Sequence, residues 1–253
     1  MEQNNYRLGV VSVSFRQLSP KAILEATKKA GLSCIEWGSD VHAPCHDTTR
    51  LHEIAALQKQ YGIECSSYGT YFRFLESPLA ELSDYVAAAK ILGTDTLRLW
   101  CGHRSGEQYS DEEKEELILQ CKQAARLAEK EGVKLCMECH KNTYTQRLKD
   151  ALSLMHAVDS PSFRMYWQPF QWQSAAQNLS YARAIAPFVE HIHVFHWKGD
   201  QKLPLKDATD EWQAYLHEFS VPRTLLLEFM PNGSADELAD EASALKSIIG
   251  ETV

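Results

Sequence analysis

The chain has 253 residues, 44% hydrophobic and 24% charged, which is enough to bury one large core and ordinary for a globular protein. A net charge of −8 argues against a nucleic-acid partner, because phosphate binding needs a basic surface. No apolar run approaches the roughly 20 residues needed to span a bilayer, and the N-terminus lacks the basic and apolar regions of a signal peptide.

In chain order, short β-rich runs are expected at 8–14, 33–37, 63–68, 96–101, 134–138, 163–168, 191–195 and 224–229. Their spacing leaves room for one crossover helix after each. The first helix opens at Ser19-Pro20, with proline at N1, and Gly31 closes it. Ser110-Asp-Glu-Glu113 is a capping box before a long helix whose buried face carries Leu117, Cys121, Ala124, Ala125 and Ala128. Ser234-Ala-Asp-Glu237 opens the last helix in the same way. Eight strand–helix repeats without a linker predict a single α/β domain over 1–253, a closed (β/α)8 barrel. An open doubly wound sheet would want a glycine-rich turn after the first strand, and none is present. Seven scattered cysteines, several in predicted buried strands, suggest reduced thiols and a cytoplasmic protein.

In such barrels chemistry sits at the C-terminal strand ends, so the polar residues closing each strand are the candidates. Strand five ends in Glu138, with His140 two residues later; strand eight carries Glu228. Strand seven offers His191 and His193 with one parity and His196 with the other, strand six ends in Gln168, strand two in Glu36, and strand four holds Arg98 and Trp100. Buried carboxylates are costly unless paired or bound to metal. Two beside an inward histidine suggest one divalent cation, with manganese, magnesium and cobalt favoured and zinc a fourth candidate. The competing expectation is a structural ion network in which Glu138 and Glu228 pair with Arg98 or Lys198.

The order Glu138, a polar strand-six residue, His193 and Glu228 resembles the xylose-isomerase-like barrels, the sugar isomerase and epimerase superfamily, along essentially the whole chain. Glu138-Cys-His-Lys-Asn-Thr-Tyr-Thr145 looks like the strand-five signature of that family and His-Ile-His193 like its strand-seven signature. The resemblance implies metal ligation by Glu138, the strand-six position, His193 and Glu228. The strand-six aspartate of the family falls on Gln168, within Tyr-Trp-Gln-Pro, where a neutral carbonyl oxygen replaces a carboxylate. A substrate-contacting histidine of related ketose epimerases falls on Gln171.

The function so implied is a metal-dependent isomerase or epimerase acting on a small carbohydrate, with Glu138 and Glu228 exchanging a carbon-bound proton. His140, Arg98, Trp100, Glu36, Gln171 and Lys198 are the expected substrate contacts, Lys198 meeting a phosphate or carboxylate. The alternatives are a lyase like the inosose and dehydroshikimate dehydratases, and a catalytically silent carbohydrate-binding barrel. An endonuclease-IV-like phosphodiesterase is disfavoured by Gln168, Gln171 and the acidic balance. Two or three strand-end aromatics, from a set including Trp37, Tyr71, Trp100, Trp172 and Trp197, should line the pocket. The loop His42-Ala-Pro-Cys-His46 reads first as solvated and only second as a source of ligands or substrate contacts, whereas His103 reads as readily either way. Cys136-Met-Glu-Cys139 lies on a strand, so its thiols should face opposite sides. Homo-oligomerisation through the outer helices is open, with no segment reading as an interface.

Overall fold

The eight β-rich runs do become the staves of a closed barrel. The computed structural model describes residues 6–251. The strands are β1 (Arg7–Val11), β2 (Cys34–Gly38), β3 (Glu64–Phe74), β4 (Thr96–Cys101), β5 (Lys134–Glu138), β6 (Phe163–Trp167) and β7 (Val189–Val194), then a short hairpin of β8 (His196–Lys198) and β9 (Gln201–Leu203), and finally β10 (Thr224–Leu227). The barrel runs β1-β10-β7-β6-β5-β4-β3-β2 and closes on itself, every neighbouring pair parallel.

Among the described residues eight α-helices wrap it: α1 (Pro20–Lys29), α2 (Thr48–Tyr61), α3 (Leu82–Leu92), α4 (Asp111–Glu131), α5 (Leu148–Val158), α6 (Ala175–Ile185), α7 (Thr209–His217) and α8 (Leu238–Ile248). Local chemistry explains their ends. Ser19 accepts from Ala22 N at the start of α1, and Ser110 and Glu113 exchange reciprocal bonds at the start of α4. The expected buried face of α4 is the one that packs inward.

Three local details depart from the sequence reading. The first strand ends at Val11, and Ser12–Phe15 turn as a 3-10 segment that carries the chain over the barrel rim. Ser234 accepts from Asp236 N, which tightens Ala235–Glu237 into a 3-10 turn, so α8 starts only at Leu238. The β8–β9 hairpin is extra, a two-stranded antiparallel flap joined through Gly199 at φ +58°.

Apolar side chains on the outward strand faces meet the helices in one continuous core that includes Trp37, Trp167, Trp212 and Tyr215. Val11, Val13, Cys34, Cys136, Tyr166 and Leu226 form a second apolar layer inside the barrel. Cys136 belongs to that inner layer and Cys139 to the outer core, so their thiols do face opposite sides. All seven cysteines are free. No described helix is long and apolar enough to cross a membrane.

Candidate active site

The inner apolar layer sets the position of the polar one. Side chains alternate along a strand, so the residue two places after an inward one also points inward, about 6–7 Å closer to the C-terminal rim. Thus Cys34 is followed by Glu36, Cys136 by Glu138, Tyr166 by Gln168, His191 by His193 and Leu226 by Glu228. The second members are all buried and converge at the mouth of the barrel.

Arg98 on β4 organises one side of this cluster. Its Nε donates to Glu36 Oε1 at 2.8 Å and its Nη1 to Glu138 Oε2 at 2.5 Å, with all three side chains almost fully buried. Ser67 Oγ donates to Glu36 Oε2 at 2.9 Å, and Trp100 Nε1 donates to Glu138 Oε2 at 2.5 Å. Gly69 on β3 makes room for the pair. A Cβ there would lie 2.6 Å from Arg98 Nη2 and 2.8 Å from Glu36 Oε1. Burial alone would raise the carboxyls of Glu36 and Glu138. The guanidinium of Arg98 outweighs it, lowering Glu36 to about 2 and holding Glu138 well below the usual carboxylate range.

The other side is less saturated. His193 Nδ1 donates to Gln168 Oε1 at 3.1 Å and stands 3.6 Å from both Glu138 Oε1 and Glu228 Oε2. His193 Nε2 has no hydrogen-bond partner and faces Glu36 Oε2 at 3.7 Å. Burial disfavours the imidazolium, yet the neighbouring carboxylates of Glu228, Glu138 and Glu36 raise His193 to about 10. Glu228 moves the opposite way to Glu138: burial raises it and the charge of Glu138 adds to the rise, while His193 and Arg98 oppose.

Three carboxylates (Glu36, Glu138, Glu228) against one guanidinium leave a charge of −3 + 1 = −2 in the barrel. Two protons, on His193 and Glu228, cancel it; so would one divalent cation. The 3.1–3.6 Å spacings around His193 Nδ1 are close to the separation of neighbouring ligands, roughly 3.0–3.4 Å, on a cation with bonds of about 2.1 Å. Among the described residues, no three His, Cys, Asp or Glu side chains by themselves form such a cage. Gln168 adds only a neutral amide oxygen beside them.

Above the cluster lies a cavity of about 320 Å³, the size for a small molecule, lined by Arg98, Glu138, Gln168 and Glu228 at its floor. His140 and Gln171 are half-buried in its wall. Three of the aromatics considered from the sequence, Tyr71, Trp100 and Trp197, line it, whereas Trp37 is buried in the outer core and Trp172 stands exposed beyond it. A larger groove of about 850 Å³ runs along the opposite, N-terminal face, lined by residues such as Arg7, Lys59 and Lys90, away from the rim where strand-end chemistry in barrels lies.

Several expected contacts fall elsewhere. Glu36 lies outside the cavity lining, because Arg98 and Ser67 hold it. Lys198 is exposed on β8 and also outside it: neighbours on a strand face opposite ways, and Trp197 takes the inward place. Of the expected ion pairs, Arg98 engages Glu138 but makes no salt bridge with Glu228, and Lys198 makes none with either. His42 is buried against Trp37 with its Nε2 3.2 Å from Leu18 O, and His103 pairs with Glu76 at the surface. The lining residues Val13, Arg16, Phe195 and Phe229 and the Glu36 partner Ser67 were not foreseen. Ser67 follows a register shift between β2 and β3 that breaks the parity counted from Cys65 in the outer core, so strand alternation alone would have turned it outward.

The chain belongs to the xylose isomerase-like TIM barrel family, whose model matches residues 24–248. Among its relatives, a 3-dehydroshikimate dehydratase of Bacillus anthracis is 22% identical over 198 residues, covering 74% of this chain and 70% of that one. The crystal structure of the probable 3-DHS dehydratase AsbF, also from Bacillus anthracis, superposes with a TM-score of 0.80 at 17% identity, over 95% and 98% of the two chains. IOLI protein with a bound zinc atom gives 0.77 at 16% identity, over 96% and 98%. D-psicose 3-epimerase from Clostridium cellulolyticum H10, solved with D-tagatose, gives 0.72 at 15% identity, over 97% and 100%. At these identities the structural likenesses establish the fold.

Proposed function

We propose that this protein is an isomerase or epimerase that moves a carbon-bound proton beside the carbonyl of a small carbohydrate. The observation that carries this reading is the pair Glu138 and Glu228. They share one cavity floor, each 3.6 Å from His193, yet their surroundings push their proton affinities apart. Such divergence separates a fixed charge from a proton carrier. Glu138 is the fixed charge, because Arg98 and Trp100 saturate its Oε2. Glu228 is the carrier: it lies on the cavity floor and no arginine or lysine pairs with it, so its carboxylate is free to take a proton from carbon and return it. His140 and Gln171 would hold substrate hydroxyls, and Trp100 and Trp197 would pack on the apolar face of a sugar.

Glu138, Gln168, His193 and Glu228 would hold a divalent cation: manganese, magnesium, cobalt or zinc. When bound, such a cation supplies Lewis-acid polarisation of the substrate carbonyl. The charge of −2 and the donor spacing support this assignment, as does the zinc in IOLI protein.

A second reading, favoured by the likeness to dehydratases, is the same proton abstraction followed by loss of water. One experiment addresses both. The protein is incubated with manganese in D2O against a panel of ketoses and cyclic polyhydroxy ketones. Deuterium should enter one carbon beside the carbonyl, and the product's mass then separates an isomer from a dehydrated compound. In Glu228→Gln the exchange should fall by about 10²–10⁴-fold. Undiminished exchange in that variant would refute the assignment.

A further inference from the structure

The floor of the cavity is acidic, but its rim is not. Arg16, just past the 3-10 turn that follows β1, lines the cavity and is the one permanent cation in the lining other than Arg98, which Glu36 and Glu138 already occupy. Arg16 is held in place from below. Its Nε donates to Asp40 Oδ2 at 2.6 Å, Nη2 to Tyr71 Oη at 2.7 Å and Nη1 to Val13 O at 3.3 Å. Tyr71 Oη in turn donates to Asp40 Oδ2 at 2.9 Å, so three side chains from three strand ends lock one orientation. A guanidinium carries five N–H groups; three are used, which leaves one on each terminal nitrogen. A fixed guanidinium with a free N–H on both terminal nitrogens is built to receive two oxygens of one anion.

A second cation stands at the same part of the rim. Lys202 on β9 lies over the rings of Trp197 at 5.4 Å and Phe229 at 4.9 Å, both of which line the cavity. Arg16, Phe229 and Lys202 follow β1, β10 and β7, which are adjacent in the barrel. Phe229 N donates to Ser14 Oγ at 2.9 Å, tying the first two of these strand ends together. These residues form one contiguous arc that, with Asp40 balancing Arg16, owes its net positive charge to Lys202. An anionic end of a ligand would be repelled by Glu138 and Glu228 at the floor and drawn to that arc, which also fixes which way round the ligand enters.

We infer that this pocket takes a polyhydroxylated substrate with an anionic terminus, carboxylate or phosphate, anchored at the rim by Arg16. The inference rests on the cavity being the substrate site, and it adds the charge of the substrate to that reading. Isothermal titration with three six-carbon ligands tests it: D-glucitol, D-gluconate, and D-glucitol 6-phosphate. They share a chain and differ at one terminus.

The wild-type protein should bind at least one of the anions about tenfold more tightly than glucitol, and the preferred one identifies carboxylate or phosphate. In Arg16→Met the preference should vanish while glucitol affinity stays. Arg16→Lys, which keeps the charge but loses the fork, should retain only part of it, and it serves as the variant if Arg16→Met does not fold. Equal affinity for all three ligands in the wild type overturns the inference, as does a preference that survives Arg16→Met, or no binding of any ligand. Loss of deuterium exchange with the anion preference intact would remove the proton-transfer reading and leave the anchor standing.

Discussion

The two halves of the barrel mouth are built to opposite standards. On the β2–β5 side, Glu36, Arg98 and Glu138 form a buried ion network whose guanidinium is met by a carboxylate on either side. On the β6–β10 side, Gln168, His193 and Glu228 crowd together with a spare carboxylate, a neutral amide where a charge would help, and an imidazole nitrogen without a partner. The first half resembles a foundation: removing one member leaves a buried charge exposed to low dielectric. The second is only partly satisfied, and it is the half that can take up a proton, a cation or a substrate oxygen. Saturation tells structure from chemistry here, since burial is nearly the same on both sides.

The sharpest way to break this comparison is to remove one residue from each half. Glu228→Gln should abolish most proton exchange, by about 10²–10⁴-fold, and leave the fold intact. Arg98→Met should instead destabilise the protein by about 3–5 kcal/mol in urea unfolding, because Glu36 and Glu138 lose their counter-charge. If Arg98→Met unfolded at the wild-type midpoint, the network would not be a foundation. The same network sets an acid limit. Glu36 is held near 2 against an ordinary value of 4.5, so its contribution is full above about 4.5 and is lost as pH falls through about 2. An acid titration followed by tryptophan fluorescence should show Glu36→Gln with a smaller loss of stability over that window than the wild type. The smallest effect concerns the hinge between the halves. Phe229 adopts φ +55°, uncommon for an aromatic residue, and Ser14 accepts its N–H. Ser14→Ala should cost about 1 kcal/mol by thermal unfolding, and no change would mean that the turn holds itself.

Much of the barrel was readable from residue order because each strand–helix unit carries its own punctuation. Ser19-Pro20, the Ser110–Glu113 box and the apolar face of α4 are local signals, and local signals survive without knowledge of the tertiary fold. The inward parity of Glu138, His193 and Glu228 was legible for the same reason. What strand parity could not supply was the second partner of Arg98: Glu138 was already a candidate in the competing ion network, and Glu36 was not. Glu36 lies 62 residues before it and Glu138 40 residues after, and the consecutive parallel pairing of β2, β3, β4 and β5 brings them together. The β8–β9 hairpin was missed because its strands have three residues each, too short for alternation to register. Lys198 was misjudged through the same hairpin, which turns it outward. Arg16 escaped because the first strand was read through Ser14, whereas the chain turns at Ser12 and brings Arg16 back to the rim.

The proposal to test is that Glu138, reaching across from the saturated half, joins Gln168, His193 and Glu228 in holding a single divalent cation, with Glu228 moving the proton. It is tested most directly by titrating manganese into metal-free protein, comparing wild type with Glu228→Gln, Gln168→Asp and Glu36→Gln. The account predicts one site per chain in the wild type, release of protons on binding, about tenfold or greater weakening in Glu228→Gln and tightening in Gln168→Asp, with Glu36→Gln still binding. No manganese binding in the wild type or in Gln168→Asp, or binding untouched by Glu228→Gln, would contradict it.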